Sequence, residues 1–322
     1  MGGLHARALS EAELASLVAV VDPNERIGTE VADRWGSAWY PNVETLLEKV
    51  DFDVAVVAVP DTEHERPVVE LLGSGKSVLV EKPLAHNLDT ARNMVAASRR
   101  GRLMVGHILR FDPRYRIAAE TVAAGTIGAP AHVATRRFNW TDVGKRLRGR
   151  SSTCFYLGIH DADATQWVTC KRILRVVAHS TSVIMRHNGV ESEDTIYVTS
   201  ALEDGVLGSM QFGWSLPPTA PSGIVASLEI MGTAGMLSLD ASEPGVRVSG
   251  STRTDYPDGM LWPIIGGRIT GDLAAETDHF LRSVLKDSEF VISLDDAASA
   301  VAVNDAVLRS LASGGWEEVA DA

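Results

Sequence analysis

The chain has 322 residues, 45% hydrophobic and 22% charged, enough to build a sizeable core and long enough to favour two domains. A net charge of −12, with no block of Lys or Arg, disfavours nucleic acid and anionic membrane as partners. The longest apolar runs, such as 54–59, are far too short to span a bilayer, and the first residues lack the hydrophobic stretch of a signal peptide. Two cysteines, Cys154 and Cys170, fit no metal spacing and point to a reducing compartment, with the cytoplasm as the default.

Residues 1 to about 110 alternate helix and strand. A helix over 3–14 precedes a buried strand over 17–21 that ends at Asp22-Pro23. Helices over 26–35 and 43–49 follow, then a second buried strand over 53–59 and a helix over 65–72. A third strand, 78–80, runs into Glu81-Lys82-Pro83. A helix over 89–99 and a strand over 103–106 complete the pattern. Continuous Val/Ala runs mark strands covered on both faces, hence a parallel sheet in a doubly wound α/β domain. After Tyr115 the pattern changes to strands over 131–139, 174–186, 195–202, 206–214, 225–231 and 236–248, several of them alternating. Helices over 156–169, 270–286 and 295–312 accompany them, so the second part reads as an antiparallel sheet with helices on one face. The boundary falls near 112–118, giving a dinucleotide-binding domain over 1–114 and a substrate-binding and oligomerisation domain over 115–322.

Lys82 directly follows a fully apolar strand, at the carboxyl edge where open α/β sheets bind ligands. Pro83 biases it away from helical dihedrals, so the side chain leaves an extended backbone; the plainer alternative is a surface Lys-Pro turn. At the front, Asp22 lies 20 residues beyond Gly2, the spacing at which an acid meets the adenosine ribose. Gly2 then reads as the last glycine of a pyrophosphate-binding fingerprint whose first strand and earlier glycines are absent; otherwise Asp22 is only a turn residue. Asp22 would repel a 2′-phosphate, which favours NAD over NADP. If 156–169 is helical, Tyr156, His160 and Asp163 share one face, as a wet cleft wall or merely as a helix start.

Taken in order, Asp22-Pro, Val59-Pro-Asp-Thr-Glu-His64, Glu81-Lys-Pro83, Val105-Gly-His-Ile-Leu-Arg-Phe111 and Gly158-Ile-His-Asp-Ala-Asp163 resemble the Gfo/Idh/MocA family of NAD(P)-dependent dehydrogenases of sugars, inositols and related polyols. Each motif alone is weak, and five in order are specific. The resemblance covers essentially the whole chain, including Gly232-Thr-Ala-Gly235. It implies a Rossmann domain followed by an α+β domain with a large open antiparallel sheet, commonly the interface of a homodimer or homotetramer. It places Lys82 by the nicotinamide and the reacting carbon, where a base must take the hydroxyl proton as hydride leaves. It matches His160 to the family's catalytic histidine and Asp163 to a substrate-contacting acid.

Many members carry an aspartate four residues before that histidine, where this chain has Tyr156. Tyr156 can relay a proton but cannot supply fixed negative charge, so Lys82 becomes the main acid/base, with His160 and Tyr156 as partners. The cofactor set is then Gly2, Asp22, Pro60, His64, Glu81, Lys82 and Arg110, and the substrate set Lys82, Asn139, Tyr156, His160 and Asp163. Arg110 equally reads as a tie between domains, and Asn139, with Arg137 before it, as part of an edge-strand pair. Arg146, Arg148 and Arg150 read as a solvated loop, His107 as a packed strand-end residue, and His279 and Trp262 as packing. No metal constellation is present. The competing reading is a non-catalytic relative that senses a sugar or a dinucleotide on the same scaffold.

Overall fold

The computed structural model describes every residue except Pro244. The chain divides into two compact units, Met1–Phe111 with Met260–Ala298, and Asp112–Gly259 with Ser299–Ala322. Residues 260–298, which the sequence assigns to the second domain, thus belong to the first unit.

The first unit alternates α1 (Gly2–Glu11), β1 (Ala19–Val21), α2 (Glu25–Trp35), β2 (Ala38–Tyr40), α3 (Val43–Lys49), β3 (Val54–Val57), α4 (Glu65–Gly73), β4 (Ser77–Glu81), α5 (Leu88–Ala97) and β5 (Leu103–Gly106). Asparagines start α2, α3 and α5: the side chains of Asn24, Asn42 and Asn87 each accept an otherwise orphaned backbone N–H of the first turn. Gly36, in the left-handed region at φ 67°, closes α2. Val78, Leu79 and Val80 of β4 are fully buried, which is why that strand is apolar at every position rather than at alternate ones. The parallel sheet stands in two pieces, β1–β2 and β3–β4–β5, and α1 is the first element of the chain. β2 was not foreseen, being three residues between Gly36 and Pro41.

The second unit carries α6 (Pro113–Ala123), β6 (Pro130–Trp140), α7 (Thr141–Leu147), a π-helical turn at Cys154–Gly158, α8 (Ile159–Thr169), β7 (Ile173–Thr181), α9 (Val183–His187), β8 (Thr195–Leu202), β9 (Leu207–Leu216), β10 (Ile224–Gly232), β11 (Met236–Asp240), β12 (Val248–Ser249) and β13 (Thr254–Asp255). The chain then adds β14 (Ile264–Ile265), β15 (Arg268–Ile269) and α10 (Asp272–Lys286) to the first unit, where α10 packs on α1. α11 (Leu294–Ser313) and β16 (Glu317–Glu318) follow. From residue 299 onward they serve the second unit: Asn304 Nδ2 donates to the Cys154 carbonyl (3.0 Å) and Ser310 Oγ accepts the Ala178 N–H (2.9 Å).

Seven strands form the second sheet in the order β11-β10-β6-β9-β8-β7-β16. The sequence pointed to an antiparallel sheet; the observed one is mixed, because β6 and β9 run parallel. The long connection between them, through α7, α8 and the β7–β8 pair, supplies the crossover that parallel neighbours need. Val133, Thr135 and Arg137 on β6 are buried while Arg136 is exposed, so one face meets α8 and the other is open. Three local expectations change. The strand over 174–186 ends at Thr181, after which α9 starts, its Ile184 N–H held by Asp194 Oδ2 at 2.7 Å. Of 236–248, β11 and β12 are strand, and Pro244 lies outside the described residues. Arg146 lies on α7 and Arg148 caps it, and only Arg150 is beyond it; all three are exposed.

Candidate active site

In the first unit several of the expected cofactor residues lie at the carboxyl ends of the parallel strands: Asp22 after β1, Pro60 after β3, Glu81 and Lys82 at β4, and Arg110 after β5. Lys82 is half-buried, between the buried Glu81 and Pro83. Glu81 is fixed on both oxygens. Its Oε1 lies 2.8 Å from His5 Nε2, and its Oε2 accepts the Lys82 backbone N–H at 3.2 Å. Burial pushes the Glu81 carboxyl up, but the His5 hydrogen bond and the charges of His5 and Lys82 outweigh it and hold it below the ordinary carboxylate range.

His64 is buried, with Nδ1 2.9 Å from the Pro83 carbonyl and Nε2 3.1 Å from the Val59 carbonyl. Burial lowers its pKa, so the ring is neutral and donates through one nitrogen at a time. It sits between the loop that bears Pro60 and the loop that bears Lys82, donating to one of the two carbonyls. Arg110 is 3% exposed and reaches Asp296 Oδ2 at 3.4 Å, an ion pair internal to the first unit.

A nicotinamide dinucleotide fits the residues present. α1 has no side-chain cap and no acidic residue in its first turn, in contrast to the asparagine-capped α2, α3 and α5. A Cβ added at Gly2 or Gly3 would meet nothing within 4 Å, so the first turn is uncrowded, and a helix N-terminus of this kind suits a phosphate. Asp22, half-exposed, accepts the Asn24 N–H at 2.7 Å through Oδ1, and its carbonyl accepts the Trp39 indole N–H at 2.9 Å. A carboxylate held there suits ribose hydroxyls.

In the second unit, Tyr156 lies on the π turn, while His160 and Asp163 lie on α8. Over 153–169 only Tyr156, His160 and Trp167 escape full burial, and Asp163 is 2% exposed. The Tyr156 ring stands edge-on to Trp214, centroids 5.0 Å apart. Gly158 sits where a Cβ would come within 2.6 Å of the Phe212 ring; its missing side chain brings the start of α8 down onto the sheet. Asn139, near the end of β6, is half-buried and its Oδ1 accepts the Trp140 N–H at 2.7 Å.

Sequence reasoning missed what holds this segment. Arg137 Nε and Nη2 donate to the two Asp161 oxygens at 3.0 and 3.3 Å, and Nη2 also donates to Tyr115 OH at 3.0 Å. Burial works against the guanidinium charge, but Asp161 and Tyr115 more than compensate and raise its pKa, so Arg137 stays protonated. This network ties β6, two residues before Asn139, to α8, one residue after His160, and to α6. The only signal in the sequence was a charged pair flanking two candidates. Among the described residues no group of His, Cys, Asp and Glu is arranged to hold a metal ion, and no helix is long and apolar enough to cross a membrane.

Comparison with known proteins gives the family. Residues 1–107 match the oxidoreductase family with an NAD-binding Rossmann fold, GFO/IDH/MocA, and residues 115–238 match the GFO/IDH/MocA C-terminal domain. The inositol 2-dehydrogenase of Rubrobacter xylanophilus is 29% identical over 99% of this chain and 90% of that protein. The crystal structure of GenD2 from gentamicin A biosynthesis, in complex with NAD, superposes with a TM-score of 0.88 at 25% identity, covering 99% of this chain and 93% of that one. Scyllo-inositol dehydrogenase from Lactobacillus casei, with bound NAD(H) and scyllo-inositol, shares the fold with a TM-score of 0.83 at 19% identity, covering 98% and 95%. The chain belongs to the GFO/IDH/MocA oxidoreductase family.

Proposed function

We propose that the protein transfers hydride between NAD and a secondary hydroxyl, or the matching ketone, of a sugar, inositol or related polyol. The observation that carries this is Lys82: a half-buried amine at the carboxyl end of a fully buried parallel strand, its backbone fixed by Glu81. The cofactor's contribution, when bound, is to accept or supply the hydride. Gly2 at the open end of α1 holds phosphate, and Asp22 takes ribose hydroxyls and disfavours NADP. Pro60, His64, Glu81 and Arg110 shape the loops on the same edge. Lys82 takes the hydroxyl proton on oxidation and returns it on reduction. In the second unit Asn139, Tyr156, His160 and Asp163 are donors and acceptors for polyol hydroxyls, with His160 and Tyr156 passing the proton on. Buried Cys154 and exposed Cys170, both free thiols, suit a reducing compartment such as the cytoplasm. The open face of the large sheet, with Tyr197 and Thr199 exposed beside Gln211 and Ser209, is assigned to a homodimer or homotetramer contact.

The test is absorbance at 340 nm with NAD and with NADP across inositols, aldoses and amino sugars, alongside Lys82→Ala. Turnover with NAD that falls about 100-fold or more in Lys82→Ala, with NADH binding nearly intact, is the expected result. Unchanged turnover would remove Lys82 from the chemistry, and tighter binding of NADP would overturn the role of Asp22.

A further inference from the structure

Next to Glu81 lies a second acid with no role in the scheme above. Glu276, on α10, is 1% exposed, and its Oε1 has no hydrogen-bond partner. It fits there because residue 106 is glycine. A Cβ at Gly106 would sit 3.1 Å from Glu276 Oε1, 3.4 Å from the Val80 carbonyl and 3.6 Å from the Glu81 Cα. The absent side chain at the end of β5 thus admits a carboxyl against the backbone that leads into Lys82.

Glu81 and Glu276 are both buried and both border the Cβ position of Gly106, and two buried carboxyls that near one another do not readily both ionise. Glu81 has His5 and the Lys82 N–H on its oxygens, whereas Glu276 has an orphaned oxygen, so the charge falls on Glu81. We propose that Glu81 and Glu276 form a buried carboxyl pair carrying one negative charge, held on Glu81 next to Lys82. Burial, followed by the charges of Glu81 and Asp272, pushes the Glu276 carboxyl well above the ordinary range. The charged and titratable groups that act on the pair are His5 on α1, Lys82 after β4 and Asp272 on α10. With Glu276 neutral, Lys82 faces a single carboxylate. Were both ionised, a second negative charge would hold its proton more tightly and make it a poorer base near neutral pH.

This inference rests on the role assigned to Lys82, and its test does not depend on turnover. The Lys82 amine is titrated by competitive acetylation across pH, with the labelled peptide quantified by mass spectrometry. Glu276→Gln, which keeps a neutral side chain, should leave the Lys82 midpoint within about 0.3 unit of the parent, whereas Glu81→Gln should lower it by about one unit or more. If Glu276→Gln lowers the midpoint as much as Glu81→Gln does, both acids are ionised and the proposal is wrong. The unsubstituted protein supplies a check independent of how the variants fold. One glutamate carboxyl in a ¹³C-labelled sample should titrate far above the others; if every glutamate titrates in the ordinary range, the proposal is refuted.

Discussion

Replacing Arg137 with methionine isolates the network that ties β6 to α8 and α6. The side chain is buried and makes three hydrogen bonds, two to Asp161 and one to Tyr115. Methionine keeps most of the volume, so little of the effect is a cavity. What remains is Asp161 at 1% exposure, a carboxylate with its countercharge removed. Breaking a buried pair from one side costs about 3–5 kcal/mol, a large share of the ~5–15 kcal/mol that holds a domain together. The penalty depends on pH in a definite sense. Burial already pushes Asp161 up, against the pull of Arg137, and without Arg137 it is pushed further. An acid whose folded pKa lies above its unfolded value favours the native state least when the unfolded chain ionises and the folded chain does not. The destabilisation should therefore be small near pH 4 and grow as pH rises toward 8. Urea melts followed by the fluorescence of buried Trp214 measure it, and Arg137→Met with Asp161→Asn should recover part of the loss. A cost below about 1 kcal/mol at pH 7.5, or no recovery in the double variant, would refute the account of a desolvated charge.

Two further outcomes follow from local geometry. Burial lowers the His64 pKa below 6.5, so the unfolded chain binds the proton more readily than the folded one; stability should be full above about pH 6.5 and decline as pH falls through the folded pKa. Chemical denaturation at pH 7.5 and 5.5 should show this decline in the parent and a flatter response in His64→Gln; equal slopes would deny His64 the role. Gly158→Ala drives a methyl to within 2.6 Å of the buried Phe212 ring. Overpacking of about 1–3 kcal/mol should exceed the roughly 1 kcal/mol gained in helix propensity, and a Tm at or above the parent value would show that α8 yields freely.

The parts of the fold legible in the sequence are those fixed by local chemistry. The run Val78-Leu-Val80 reads as a strand buried on both faces, and 43–49 reads as a short helix with the bounds that α3 has. Helical spacing put Tyr156, His160 and Asp163 on one helix; the structure has Tyr156 on a π turn, with His160 and the buried Asp163 on α8. α7 was missed because Gly144 interrupts it; that glycine is there so that the helix can lie against Trp214, whose ring a Cβ would approach to 2.8 Å. The assignment of 260–298 and the two buried acid networks depend on partners 24 to 195 positions apart, such as Arg137 with Asp161 and Glu81 with Glu276, and no window along the chain contains that information.

The π turn at Cys154–Gly158 has a consequence for how this scaffold can diverge. Such a turn is a stored extra residue: the helix runs on from Ile159 in ordinary register, with the surplus confined to one loop of backbone. Deleting a single codon there would restore a regular helix and swing the side chain at the position of Tyr156 round by about 100°, leaving His160 and Asp163 where they are. Lineages can thus exchange which group stands beside the histidine by gaining or losing one residue, without disturbing the chemistry downstream.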